Sequence, residues 1–193
     1  MINPRIFEQS LYTVMLRTIF KKKVNEDKLS NVLINSLHQA MEIGFVDISE
    51  LINNDKDFVK KPEIEATDYD RFMIILFVGN LKIMEKRLES EQFDRMKNLL
   101  ITKFSKVYNL YESDTKKYIK DYSQFMGRIN YPSKNVLYAM SKCVFYKYNL
   151  ASYQEEYFRD LNAPNPKFLK RLNKIVENFI WDWDYFFTKY NFN

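Results

Sequence analysis

The segment from Thr67 to Glu89 places apolar side chains on two opposite sides of a predicted helix. One side carries Phe72, Ile75, Leu76 and Ile83, and the other carries Ile74, Phe77, Leu81, Met84 and Leu88. A helix that is apolar on both sides needs neighbours on both sides, so it belongs at the centre of a bundle. The segment therefore predicts an all-α fold with this helix in the middle.

Length and composition agree with one helical domain. The chain has 193 residues, which is enough for one large core and too few for two domains to be the default. Only three glycines and five prolines leave few turn residues for a many-stranded sheet. We therefore predict that residues 1–193 form a single compact bundle of about seven to nine helices. Residues 54–66, which mix charges with Pro62 and show no sustained period, predict a mobile loop.

Short polar residues mark the predicted starts of the helices. Asn25 and Asn165 are candidate N-caps, and Pro166 after Asn165 suits the first helical position. Thr67 with Asp70 three residues later resembles a capping box. Further starts are predicted at Ser90, Ser113, Ser133 and, as a capping box with Glu155, at Ser152.

Two glycines have predicted structural roles. Gly44 can supply a left-handed stop for the helix that begins after Asn25. Gly79 lies inside the central helix, where glycine costs about 1 kcal/mol relative to alanine. We expect Gly79 to mark a close approach between two helices.

The last predicted helix runs from Asn165 to about Tyr190. Its apolar residues recur at three- and four-residue spacing and therefore gather on one face. Trp181, Tyr185 and Phe192 fall close to 180° away from that face. The helix is thus predicted to be apolar on two sides, with these three aromatic residues on the outer side.

Residues that could carry catalysis are few and scattered. His38 is the only histidine and is predicted to be a solvated surface imidazole, while Cys143 is predicted to be a buried, inert thiol. Asp182 and Asp184, two residues apart on the predicted helix, point in opposite directions and cannot converge on one atom. We therefore predict a non-enzymatic protein with no catalytic site, no cofactor and no metal site. The alternative that stays open is an enzyme whose site the fold assembles from groups distant in sequence.

The first functional hypothesis is a helical protein-interaction domain, an adaptor or regulator. Exposed Trp and Tyr side chains are typical hot spots of protein interfaces, so Trp181, Tyr185 and Phe192 are the predicted partner-binding residues. A protein partner or a homodimer is expected. Two alternatives stay open: the three aromatic residues pack under another helix of the same chain, or the core binds an apolar ligand.

The second functional hypothesis is nucleic-acid binding through residues 116–147. Residues 112–151 contain seven Lys or Arg against three Asp or Glu. Cations interleaved with aromatic rings can hold phosphates and stack bases. The predicted contact residues are Lys116, Lys117, Lys120, Arg128, Lys134, Tyr138, Lys142 and Phe145. The alternative is that these lysines are the solvated faces of two amphipathic helices.

The sequence also bears on cellular location. No signal peptide and no membrane-spanning helix are predicted, because the longest uninterrupted apolar run covers only residues 72–78. The single cysteine cannot form an intramolecular disulfide. We therefore expect a cytoplasmic protein.

Overall fold

The computed structural model describes the backbone of residues 24–189 and the side chains of residues 24–186. The α-helices of this part are α1 (Glu26–Asn53), α2 (Asp70–Glu85), α3 (Ser90–Val107), α4 (Glu112–Asn130), α5 (Val136–Lys147), α6 (Glu156–Asp160), α7 (Pro166–Val176) and α8 (Trp183–Lys189). Short 3-10 turns cover Leu150–Tyr153 and Glu177–Phe179. Within residues 24–189 no β-strand forms, and the predicted all-α bundle is confirmed. None of the described helices is both long enough and apolar enough to cross a lipid bilayer.

Helix α2 is the centre of the bundle, as predicted. Between Phe72 and Leu81 every side chain except that of Ile74 is buried. The helix packs against α1, α3, α4 and α5, so both of its apolar sides are covered. A Cβ atom at Gly79 would lie 2.7 Å from the Met140 Cε of α5. The predicted close approach at Gly79 is therefore confirmed.

Helix α1 continues through Gly44 to Asn53, so the prediction that Gly44 ends this helix is wrong. The apolar stripe continues after the glycine, where Ile48 and Ile52 are fully buried. Burial of these residues outweighs the cost of one glycine inside the helix. Gly44 serves a close contact instead, because a Cβ atom there would lie 2.6 Å from the Phe179 ring.

The start of α2 is satisfied by a residue from the far end of α5. The Tyr148 hydroxyl donates to the Asp68 carbonyl (2.6 Å) and accepts from the Phe72 N–H (3.3 Å). Thr67 instead contacts the carboxylate of Glu65, so the predicted capping box at Thr67 is wrong. A tyrosine 76 residues away therefore satisfies an N-terminal amide of the helix.

The other predicted starts divide into two groups. Asn25 and Asn165 are N-caps, each accepting a backbone N–H at 2.8 Å. A helix begins at Ser90, as predicted. The predictions at Ser113, Ser133 and Ser152 are wrong, since α4, α5 and α6 are preceded by Tyr111, Asn135 and Glu155.

Residues 54–66 form no helix, and side-chain hydrogen bonds join this segment to neighbouring helices. The Asn53 side chain bonds both the N–H and the carbonyl of Ile64, at 2.8 Å each. The buried Asp55 carboxylate accepts two hydrogen bonds from Arg171 of α7, at 2.6 and 2.7 Å. The ends of the loop are thereby linked to α1 and α7, and its mobility stays a prediction.

The prediction of one helix from Asn165 to Tyr190 is wrong beyond Val176. The chain becomes extended at Ile180 (φ −87°, ψ 129°) before α8 begins at Trp183. The buried Asn80 amide of α2 donates to the Phe179 carbonyl (3.1 Å) and accepts from the Trp181 N–H (2.9 Å). These backbone groups are thus satisfied by a side chain of α2 instead of by a continuing helix.

Candidate functional site

His38 is partnered rather than simply solvated, which corrects the sequence prediction. Its Nδ1 lies 3.0 Å from the Tyr108 hydroxyl and its Nε2 lies 3.4 Å from a Glu42 carboxylate oxygen. Burial, and to a smaller extent the Glu42 charge, raises the pKa of Tyr108 to about 12. The phenol therefore stays protonated near neutral pH, and the three groups link α1 to the end of α3.

The other candidate chemical groups do not assemble a reactive centre. Cys143 is fully buried, as predicted, and burial raises the pKa of its thiol to about 12. Asp182 accepts the Tyr185 N–H at 2.8 Å, while Asp184 forms a two-point ion pair with Arg87 at 2.7 and 3.0 Å. Among the residues that the structure describes, no three His, Cys, Asp or Glu side chains could hold a metal ion together.

The predicted aromatic surface of the last helix is arranged differently in the structure. Trp181 precedes α8, is partly buried, and packs against the rings of Trp183 and Phe186 at 6.4 and 6.2 Å. Tyr185 lies on α8 with 38% of its surface exposed. Trp181 and Tyr185 therefore do not share one face of one helix, and Phe192 lies outside the described residues.

Helix α5 leaves only a narrow flank at the surface. Between Ala139 and Phe145, Lys142 is the only residue that is not buried. Phe145 is fully buried beside the rings of Tyr146 (5.1 Å) and Phe168 (6.3 Å), so its predicted place on the outer side is wrong. The helix is covered by α2, α4 and α7, so it buries Phe145 in addition to Met140, Cys143 and Val144, which the sequence placed on the inner side.

Lys142 is held in a defined position on that flank. Its ammonium lies 4.6 Å from the centre of the Tyr138 ring and donates to the Ile129 carbonyl at 3.0 Å. Burial lowers the pKa of Lys142 below its ordinary value. The carbonyl and the ring partly replace the water that the cation loses.

A second group of cations and rings lies between α4 and α5. The Lys147 ammonium is 4.3 Å from the Tyr122 ring and 4.7 Å from the Phe125 ring. The Arg128 guanidinium lies 5.4 Å from the Phe125 ring. Tyr146 meets Phe125 edge to face at 6.1 Å, which joins this group to the exposed flank of α5.

These residues form a surface that we name the cation–aromatic face. It consists of Phe125, Arg128, Tyr138, Lys142, Tyr146 and Lys147, and the buried ring of Tyr122 lies under Lys147. Residues 122–154 contain no Asp or Glu at all. Within the described part of the chain, none of the three cations of the face forms an ion pair with a carboxylate. No carboxylate among the described residues therefore neutralises their charge by direct contact.

The predicted contact residues on α4 fall on different sides of the helix. Viewed down the axis of α4, Lys117 lies on the same side as Arg128, within about 20° of it. Lys116 lies on the opposite side of the helix from Phe125, about 180° away. Lys116, Lys117 and Lys120 are all exposed, and Lys116 lies 3.7 Å from Glu112. The structure thus brings Arg128, Tyr138 and Lys142 together and leaves Lys116 and Lys120 apart.

Lys134 is exposed in the turn between α4 and α5 and is not part of the face. Its carbonyl accepts a hydrogen bond from the Lys86 ammonium at 3.3 Å. Sequence reasoning missed Tyr122, Phe125, Tyr146 and Lys147. One signal could have found Tyr146: Tyr138, Lys142 and Tyr146 are spaced four residues apart and so share one flank of α5.

No protein-family profile, curated protein or solved structure matches this chain.

Proposed function

We propose that the protein is a non-enzymatic module that binds nucleic acid through the cation–aromatic face. The observation that carries the proposal is the presence of positioned cations that alternate with rings and have no carboxylate partner among the described residues. Phosphates attract such cations, and rings beside them offer stacking area to bases. The charge of the face thus suits a phosphate backbone.

The interactions of Lys142 also support binding rather than mere solvation. A solvated lysine samples many rotamers, and ordering it on binding costs free energy. Lys142 is already ordered by the Tyr138 ring and the Ile129 carbonyl. An ammonium has three donors, so two remain for a phosphate after the bond to Ile129.

Binding can be measured as fluorescence anisotropy of a labelled oligonucleotide at about 50 and about 200 mM salt. Contact with three phosphates predicts a roughly 20-fold loss of affinity over this range, because each contact contributes about 0.7 to the salt slope. Replacing Arg128 and Lys147 by Ala should weaken binding by about tenfold or more and make the salt dependence shallower.

Lys116→Ala with Lys120→Ala is the matched control. It removes the same charge from exposed positions on α4 that lie away from Phe125. An equal loss in both double variants would show that net charge alone drives binding. Absence of binding at about 50 mM salt would end the proposal.

A second candidate function is protein interaction through α8. It is favoured by the exposure of Tyr185 on a helix that the Arg87–Asp184 ion pair attaches to the end of α2. A stable complex or homodimer is expected, and Trp181→Ala with Tyr185→Ala should disrupt it. Light scattering after gel filtration reports the oligomeric state. If the double variant keeps the mass and the co-purifying partners of the unmodified protein, α8 is not the binding surface.

A further inference from the structure

We propose that the cation–aromatic face takes a single strand, with a base stacked on Tyr146 and the neighbouring phosphates on Arg128, Lys142 and Lys147. The inference rests on the proposed function and names the kind of nucleic acid involved.

Helix α5 is too deeply packed to read a duplex from the major groove. The groove is about 12 Å wide and receives a helix that projects from the protein. Helix α5 is covered by α2, α4 and α7, and after its first three residues only Lys142, Tyr146 and Lys147 are not buried. The groove walls would meet the neighbouring helices before α5 reached the base edges.

Tyr146 is the best stacking platform on the face. Cations lie over the rings of Tyr122, Phe125 and Tyr138, but no described cation lies over the ring of Tyr146. Its hydroxyl donates to the Asn162 carbonyl at 3.0 Å, and its ring meets Phe125 and Phe145 edge to face. The ring is therefore held in place while it remains partly exposed.

The distance between the tyrosines of α5 matches the length of a few nucleotides of a single strand. Tyr138 and Tyr146 are eight residues apart, which is about 12 Å along a helix axis. That span covers about three to four nucleotides at the stacked spacing of 3.4 Å, and fewer when the strand is extended. Lys142 lies midway, with Lys147 and Arg128 beside Phe125, so cations are placed on both sides of Tyr146.

Bases of a duplex are stacked on each other, so their faces are closed to a tyrosine ring, whereas a single strand exposes them. Stacking tolerates any base, because every base has a π face. The face therefore predicts preference for single strands with little preference for sequence.

The decisive experiment compares a labelled single strand with the duplex of the same sequence, at about 100 mM salt, using the unmodified protein. The single strand should bind about tenfold or more tightly. Tyr146→Leu should weaken single-strand binding by about fivefold or more, since a stacked base contributes that much or more. Tyr146→Phe keeps the ring and should bind nearly as well as the unmodified protein.

Tyr157→Leu is the matched control, because Tyr157 is an exposed tyrosine on α6 that is preceded by Glu155 and Glu156. Circular dichroism melts show whether each variant is folded, and the strand-against-duplex comparison needs no variant. Equal binding of strand and duplex, or full binding by a folded Tyr146→Leu variant, would overturn this inference alone. No binding of either nucleic acid would overturn the proposed function itself.

Discussion

The C-terminal segment (residues 166–186) and the α4–α5 hairpin (residues 112–147) are both rich in aromatic residues, yet they use them differently. In the C-terminal segment, Trp183 and Phe186 are turned into the core and Phe179 packs on Gly44. In the hairpin, Phe125 and Tyr146 remain at the surface beside cations. The C-terminal segment thus buries most of its rings, while the hairpin keeps partly exposed rings in contact with cations.

The buried amide of Asn80 accounts for the inward turn of the C-terminal segment, and replacing it gives the largest expected effect. Asn80→Leu leaves the Phe179 carbonyl and the Trp181 N–H without their partner. Each unsatisfied buried group costs about 1–3 kcal/mol, so we expect the free energy of unfolding to fall by about 3 kcal/mol. Urea unfolding followed by circular dichroism measures this value.

The exposed Gln124 of α4 is the control, and Gln124→Ala should change the free energy of unfolding by less than about 0.5 kcal/mol. An Asn80→Leu protein as stable as the parent would mean that the segment is turned inward by apolar packing alone.

Two glycines provide a smaller and more direct test of how tightly the two regions are packed. Gly44→Ala places a Cβ atom against the Phe179 ring and should destabilise the protein by about 2 kcal/mol through overpacking. Gly127→Ala on α4 meets nothing within 4 Å and should stabilise it by about 0.5–1 kcal/mol through helix propensity. Thermal melting of both variants checks the opposite signs, and two changes of the same sign would contradict the difference in packing.

The buried inner side of the hairpin predicts a dependence of stability on alkaline pH. Burial raises the pKa of Cys143 to about 12, above its usual value near 9, so the folded state keeps a proton that the unfolded state loses. The free energy of unfolding should therefore decrease as pH rises from about 9 towards 12, by up to about 1.4 kcal/mol per pH unit from this group. Urea titrations from pH 8 to about pH 10.5 measure the slope.

Tyrosines with raised pKa values also make the free energy of unfolding fall with rising pH. The unmodified protein is therefore compared with Cys143→Ala, whose free energy of unfolding should fall less steeply with pH. Identical slopes in the two proteins would show that the thiol reaches solvent in the folded state.

Features that depend on neighbours in the sequence were predictable. The two asparagine caps and the central position of α2 follow from local spacing, because a cap bonds two or three residues ahead and an apolar stripe is visible within a few turns. Gly79 was predictable for a related reason, since glycine inside a buried helix is unfavourable unless a neighbour needs the space.

The candidate site was predictable only in part. Arg128, Tyr138 and Lys142 lie on the cation–aromatic face, as the charge pattern suggested. Phe145 was misplaced because a helical wheel assumes one buried side, whereas α5 is covered by three helices. Phe125 and Lys147 were missed because their contact joins two helices, and spacing within either helix does not show it.

The amino-acid sequence by itself determined that the chain is helical and which segment lies at the centre. It also determined the two helix starts that are capped by Asn25 and Asn165. Those properties arise from interactions over a few residues. Only the tertiary structure decided where the last helix breaks, which aromatic rings stay at the surface, and which cations stand beside them. Each of these depends on a side chain from a distant element, such as Asn80, which satisfies backbone groups about 100 residues along the chain.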